Sequence, residues 1–79
     1  MRLDKYLKVS RLIKRRTVAN QACEADKITV NGLDKKPSYT VKVGDVIEIG
    51  MGRTPLRVKV VSITEQVGKD RAAEMYEIL

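Results

Sequence analysis

Residues 17–32 read Thr-Val-Ala-Asn-Gln-Ala-Cys-Glu-Ala-Asp-Lys-Ile-Thr-Val-Asn-Gly, and their apolar period changes part-way. Val18, Ala19, Ala22, Cys23 and Ala25 fall on one face of a helix, with Thr17, Asn20, Gln21 and Glu24 on the other. Thr17 is the expected N-cap, because its hydroxyl can accept an orphan N–H of the first turn. Asp26 and Lys27 are expected to end the helix, since aspartate tolerates the left-handed conformation better than most residues. Ile28, Thr29 and Val30 then alternate, and Asn31-Gly32 is a strong hairpin signal.

Upstream, Leu3, Tyr6, Leu7 and Ser10 share one face of an earlier helix, expected over residues 3–11. Asp4, Lys8 and Arg11 line a neighbouring face, so Asp4, an acid in the first turn where the helix dipole favours it, is expected to cap the helix or to orient Lys8 or Arg11 by charge pairing. Residues 12–16 lose the pattern and read as a connector. Downstream, Val41 and Val43 lead into a turn at Gly44-Asp45, and Val46 to Ile49 form a strand. Gly50-Met51-Gly52 reads as a hairpin turn. Arg57 to Ile63 is a strand whose alternation slips at Val60-Val61, as at a bulge. Residues 72–79 fit both a helix, through Ala72, Met75, Tyr76 and Leu79, and a short strand at Met75 to Ile78. Two helices followed by a small antiparallel sheet make an α+β domain.

The chain has 79 residues and a net charge of +6. Arg2, Lys5, Lys8, Arg11, Lys14, Arg15 and Arg16 face only Asp4 within residues 1–20, so all of that charge lies there. Lys14, Arg15 and Arg16 stand just ahead of the second helix, whose N-terminus already favours anions. Arginine grips phosphate in a two-point fork. The distribution points to an anionic, phosphate-bearing partner rather than to a scattered solubility charge. With only Tyr6, Tyr39 and Tyr76 as aromatics, a base-stacking platform for single strands is poorly supported, and Tyr6 is expected in the core. A folded RNA read by shape and backbone fits better.

Other chemistries find little footing. The chain has one cysteine and no histidine, which removes an internal disulfide and the usual metal ligand and general base. Cys23 reads as a small buried hydrophobe. No catalytic constellation, metal site or cofactor is expected. No apolar run approaches a membrane span, and the N-terminus lacks the apolar region of a signal peptide, so a cytoplasmic protein is expected.

Several segments in order resemble the S4 RNA-binding domain. They are Arg2-Leu3-Asp4-Lys5-Tyr6-Leu7, Lys14-Arg15-Arg16-Thr17 with Ala19, Ile28-Thr29-Val30-Asn31-Gly32, Lys36-Pro37-Ser38 and Val43-Gly44-Asp45-Val46-Ile47. The resemblance runs through residues 2–49. It implies an S4-type (αL motif) fold, with two helices packed on a small sheet, and a single domain over 1–79 in which 50–79 complete the sheet and tail. It makes Arg16 the arginine that opens the second helix, with Arg2, Lys5, Lys8, Arg11 and Arg15 on the RNA-binding surface beside Lys14. Asp4 and Thr17 support them. Where that family usually has glycine, this chain has Asp26-Lys27. Ala72-Ala73-Glu74-Met75-Tyr76 and the opening Met1 to Thr17 are similar to the heat shock protein 15 family, above all to its short members in ribosome-associated quality control. Longer relatives carry a basic C-terminal extension, and this chain stops at Leu79.

That likeness implies a non-enzymatic factor that acts as a monomer. Its partners would be large-subunit ribosomal RNA, the large ribosomal subunit and a peptidyl-tRNA held on obstructed subunits. RqcH would be the protein beside which it stabilises the P-site tRNA during alanine tailing. A general S4-domain role in ribosome assembly or translation is the alternative. A basic module docking on an acidic protein or membrane surface is a further one.

Overall fold

The computed structural model describes residues 1–65 and 68–79. Helix α1 spans Leu3–Val9 and α2 spans Arg16–Glu24. Strands β1 (Ile28–Val30), β2 (Leu33–Asp34), β3 (Val46–Ile49), β4 (Leu56–Val60) and β5 (Tyr76–Ile78) form one antiparallel sheet in the order β2-β1-β3-β4-β5. The α+β expectation holds, with a 3-10 helix at Lys69–Met75 added before β5.

The strands alternate because one sheet face meets the helices. Ile28 pairs with Ile49, and Val30 with Ile47, which in turn faces Val58. With Val60 these residues are buried, and they cluster with Leu3, Tyr6, Leu7, Ala19, Ala22 and Cys23. Burying one such valine, leucine or isoleucine fully is worth about 1.5–3 kcal/mol, so this layer dominates the stability of so small a domain. The opposite face is polar: Thr29, Glu48 and Arg57 stand in one row, and Lys59 faces Glu77. The alanines of α2 let it approach closely, but Ala25 is exposed, because the helix ends before its face turns back to the core.

Both helices stop on a left-handed residue. Asp26 has φ 59°; its N–H reaches the Cys23 carbonyl at 3.2 Å, and the Lys27 N–H reaches that of Ala22 at 2.9 Å. This is a Schellman stop with aspartate in the glycine position. Arg11 has φ 64° and likewise ends α1, two residues earlier than the sequence pattern predicts. Asn31 and Gly32 both have positive φ, as a two-residue hairpin between β1 and β2 requires. The hairpin expected at Gly50-Met51-Gly52 joins β3 to β4. The slip at Val60-Val61 falls where regular pairing of β4 stops: the Val61 and Ser62 N–H groups both donate to the Met75 carbonyl, at 2.8 and 3.1 Å, two residues opposite one as in a bulge. Residues 72–79 divide between the two readings: Ala72 and Met75 are buried from the 3-10 helix, and the chain then extends into β5.

The N-terminus is tied to a segment distant in sequence. Arg2 bridges Thr40 in antiparallel fashion. The Leu3 N–H donates to the Tyr39 carbonyl at 2.7 Å, the Asp4 N–H to that of Pro37 at 3.2 Å, and the Val41 N–H to that of Met1 at 2.8 Å. The segment is held from the other side by buried Asp45, which accepts from Asn31 Nδ2 (3.1 Å), the Tyr39 hydroxyl (2.9 Å) and the Lys42 N–H (2.9 Å).

Burial pushes the Asp45 carboxyl up, but these three donors and the Lys42 charge outweigh it and hold it below its ordinary value. A depressed folded value stabilises the protein above the unfolded value of about 3.9 and loses that stability as pH falls through the folded one. Urea midpoints are therefore expected to fall below about pH 4, with a shallower fall in Asp45→Asn. A variant that keeps the full acid dependence would remove Asp45 from this account.

Candidate nucleic-acid interface

The two helices present their N-termini side by side, and one carboxylate joins them. Asp4 sits in the first turn of α1 with its side chain only 3% exposed. Its Oδ1 accepts from the Lys5 N–H at 2.8 Å, which satisfies one orphan donor of that turn. Arg2 grips both oxygens, Nε to Oδ1 at 3.2 Å and Nη2 to Oδ2 at 3.3 Å. Arg16 Nη2 reaches Oδ1 at 3.4 Å, and Asn20 Nδ2 reaches Oδ2 at 3.4 Å.

Asp4 therefore organises Arg2 and Arg16, not Lys8 or Arg11 as the helical spacing predicts. The correction follows from the packing: α2 brings Arg16 and Asn20, one turn apart, to the first turn of α1. Burial pushes the Asp4 carboxyl up, but the Asn20 amide, the Arg16 charge, the Lys5 N–H and the Arg16 hydrogen bond together leave it below its ordinary value. It is an anion at neutral pH.

Half of each arginine remains available. The side chains of Arg2 and Arg16 are 50% and 47% exposed, so each donates inward to Asp4 and turns further N–H groups to solvent. Arg15 is the extended residue before α2, and Arg16 is its first residue. Thr17 is not the N-cap: it is the second residue of α2, it is exposed, and no side chain caps this helix. With Asp4, Arg16, Asn20 and Gln21 it instead lines a shallow pocket at the helix mouth.

Lys8, Arg11, Lys14 and Arg15 are exposed, and none forms an ion pair among the described residues. Lys5 differs: its ammonium lies 3.3 Å from Glu65 Oε1. Exposed pairs of this kind contribute at most about 1 kcal/mol, so this one holds Lys5 only weakly. Cys23 is buried, and burial, with Asp4 and Glu24 adding, pushes its thiol up to about 11, as befits a core residue. Tyr6 is also in the core; its hydroxyl donates to the Met75 carbonyl at 2.8 Å.

Asn20 is the site residue that sequence reasoning left on a generic polar face. Its spacing of four from Arg16 on α2 was the available signal. Glu65 has no such signal, lying sixty positions from Lys5.

The S4 domain model matches residues 1–47, more than half of the chain. The chain belongs to the S4 domain family. The matched region runs from α1 into the first half of β3, so both arginines and Asp4 lie inside it. The chain is 52% identical over all of its 79 residues to the RQC P-site tRNA stabilizing factor of Listeria innocua, covering 86% of that protein. It is equally similar to the factor of the same name from Streptococcus pneumoniae, covering 90% of it. Among solved structures, the trimeric heat shock protein 15 of Vibrio cholerae superposes with a TM-score of 0.93 at 31% identity, covering all of this S4 chain and 81% of that one. No helix among the described residues is long and apolar enough to cross a membrane.

Proposed function

We propose that this S4 protein is a non-enzymatic, cytoplasmic RNA-binding factor of the large ribosomal subunit. It binds ribosomal RNA and the peptidyl-tRNA on obstructed subunits and stabilises the P-site tRNA during ribosome-associated quality control. In that role it acts beside RqcH while the nascent chain is tailed with alanine. The observation that carries the reading is the joining of Arg2 and Arg16 through Asp4 at two adjoining helix N-termini. Full-length identity of about half to P-site tRNA stabilizing factors supports the choice of RNA and of process.

The mechanism is electrostatic clamping. Arg2, Arg11, Arg15 and Arg16 grip phosphates, Lys5, Lys8 and Lys14 add point charges, and the sheet holds the helices rigid. The proposed binding unit is a monomer. Neutralising about four to six phosphates gives a log–log salt slope of about −3 to −5.

Arg16→Ala is expected to weaken binding to large subunits by roughly 1–3 kcal/mol, measured by sedimentation with purified subunits. Normal binding by this variant, or affinity that ignores salt, would sink the clamp. The likeness to heat shock protein 15 supports a second reading, a broader RNA-binding role in ribosome assembly or translation. Affinity purification of the tagged chain separates the two. Large subunits carrying peptidyl-tRNA favour quality control; small subunits or free mRNA overturn it.

A further inference from the structure

The segment after Pro37 carries exposed polar residues beside Arg2 that the N-terminal charge count leaves out. Arg2 and Thr40 are directly opposed in an antiparallel bridge, so their side chains leave the same side of it. Leu3 and Val41, their neighbours, are buried, whereas Arg2, Thr40 and Lys42 are exposed. Lys42 lies two positions after Thr40 and, like Thr40, is exposed while Val41 between them is buried, which places Lys42 on the Thr40 side of this short segment.

The position is held before any ligand arrives. The Leu3 and Val41 N–H groups bond across the bridge at 2.7 and 2.8 Å, and the Lys42 N–H is fixed on Asp45 at 2.9 Å. Lys35 Nζ lies 5.0 Å over the Tyr39 ring, and the Tyr39 hydroxyl donates to Asp45. Asp45 spends its oxygens on Asn31, Tyr39 and the Lys42 N–H. Lys42 itself forms no ion pair among the described residues.

We infer that Lys42, with the Thr40 hydroxyl, is a further phosphate contact that extends the Arg16–Asp4–Arg2 set off the helices and onto the 40–42 segment. The ligand is the phosphate backbone of the same structured RNA, so the inference rests on the function proposed above. Its physical basis is a cation on a fixed backbone, adjacent to an arginine already oriented toward solvent. A phosphate run docked on Arg16 and Arg2 then meets Lys42 without reordering of the chain.

The test compares Lys42→Ala, Arg16→Ala and Lys59→Ala in salt-titrated binding to purified bacterial large ribosomal subunits. Thermal melts verify that each variant is folded. Lys59 is the control, an exposed lysine on the polar face of the sheet that loses the same charge. Lys42→Ala is expected to lower affinity about three- to tenfold and to reduce the salt slope by about 1, while Lys59→Ala changes affinity less than about twofold. Wild-type binding by Lys42→Ala alongside weak binding by Arg16→Ala overturns this extension and leaves the proposed function standing. Normal binding by Arg16→Ala overturns the reading beneath it. Equal losses at Lys42 and Lys59 reduce the effect to net charge and also overturn the inference.

Discussion

Asp4→Asn is expected to weaken RNA binding by about 1–3 kcal/mol, roughly five- to 150-fold, although it makes the chain more positive. If net charge alone set affinity, removing an acid from a basic surface would tighten binding. The geometry predicts the opposite sign. Asp4 holds Arg2 by two contacts at 3.2 and 3.3 Å and Arg16 by one at 3.4 Å, while both guanidinium groups stay half exposed. Without the anion, each long side chain must be ordered at the moment of binding, and a rotamer-rich side chain costs about 0.5–1.5 kcal/mol to immobilise. An asparagine keeps the shape and the acceptor for the Lys5 N–H, so the helix start survives. It also turns a donor toward neighbours that are themselves donors. Binding isotherms over a salt series provide the measurement. Tighter binding by Asp4→Asn would show that Asp4 only opposes the phosphates.

Tyr6→Ala has the largest expected effect on stability. Tyr6 is fully buried in the core cluster, and its hydroxyl donates to the Met75 carbonyl, sixty-nine positions away. Truncating a buried ring costs about 3–5 kcal/mol, against a total of roughly 4–12 kcal/mol for a domain of this size. The variant is expected to be largely unfolded at 37 °C. Tyr6→Phe isolates the hydrogen bond, since the ring stays and one buried carbonyl loses its partner, at a cost of about 1–2 kcal/mol. Urea unfolding of both variants measures the difference. A Tyr6→Phe midpoint equal to that of the parent would mean that the 3-10 helix is held by packing alone.

The pattern of residues 17–32 was enough for the order of elements, because local rules act there. Apolar spacing selects helix or strand, Asp26 accepts a left-handed stop, and Asn31-Gly32 accepts two positive φ angles. Boundaries were less legible. Thr17 has the chemistry of a cap, yet α2 starts at Arg16 after an extended Arg15, and no side chain caps it. The C-terminal segment matched both periods because it contains both elements in succession.

The concentration of cations in residues 1–20 and the S4 pattern are properties of residue type and order, and they point to a candidate binding face and a kind of partner. Which cations act together is a different matter. Asp4 lies two positions from Arg2 and twelve from Arg16, and Arg2 meets Thr40 across an intervening helix pair and hairpin. Periodicity governs neighbours within one element, so it paired Asp4 with Lys8 and Arg11. Only packing α2 against α1, and the 37–41 segment against the N-terminus, brings residues from different elements within hydrogen-bonding distance. Short-range forces then choose the partners: a buried carboxylate must find donors, and the nearest were Arg2, Arg16 and Asn20.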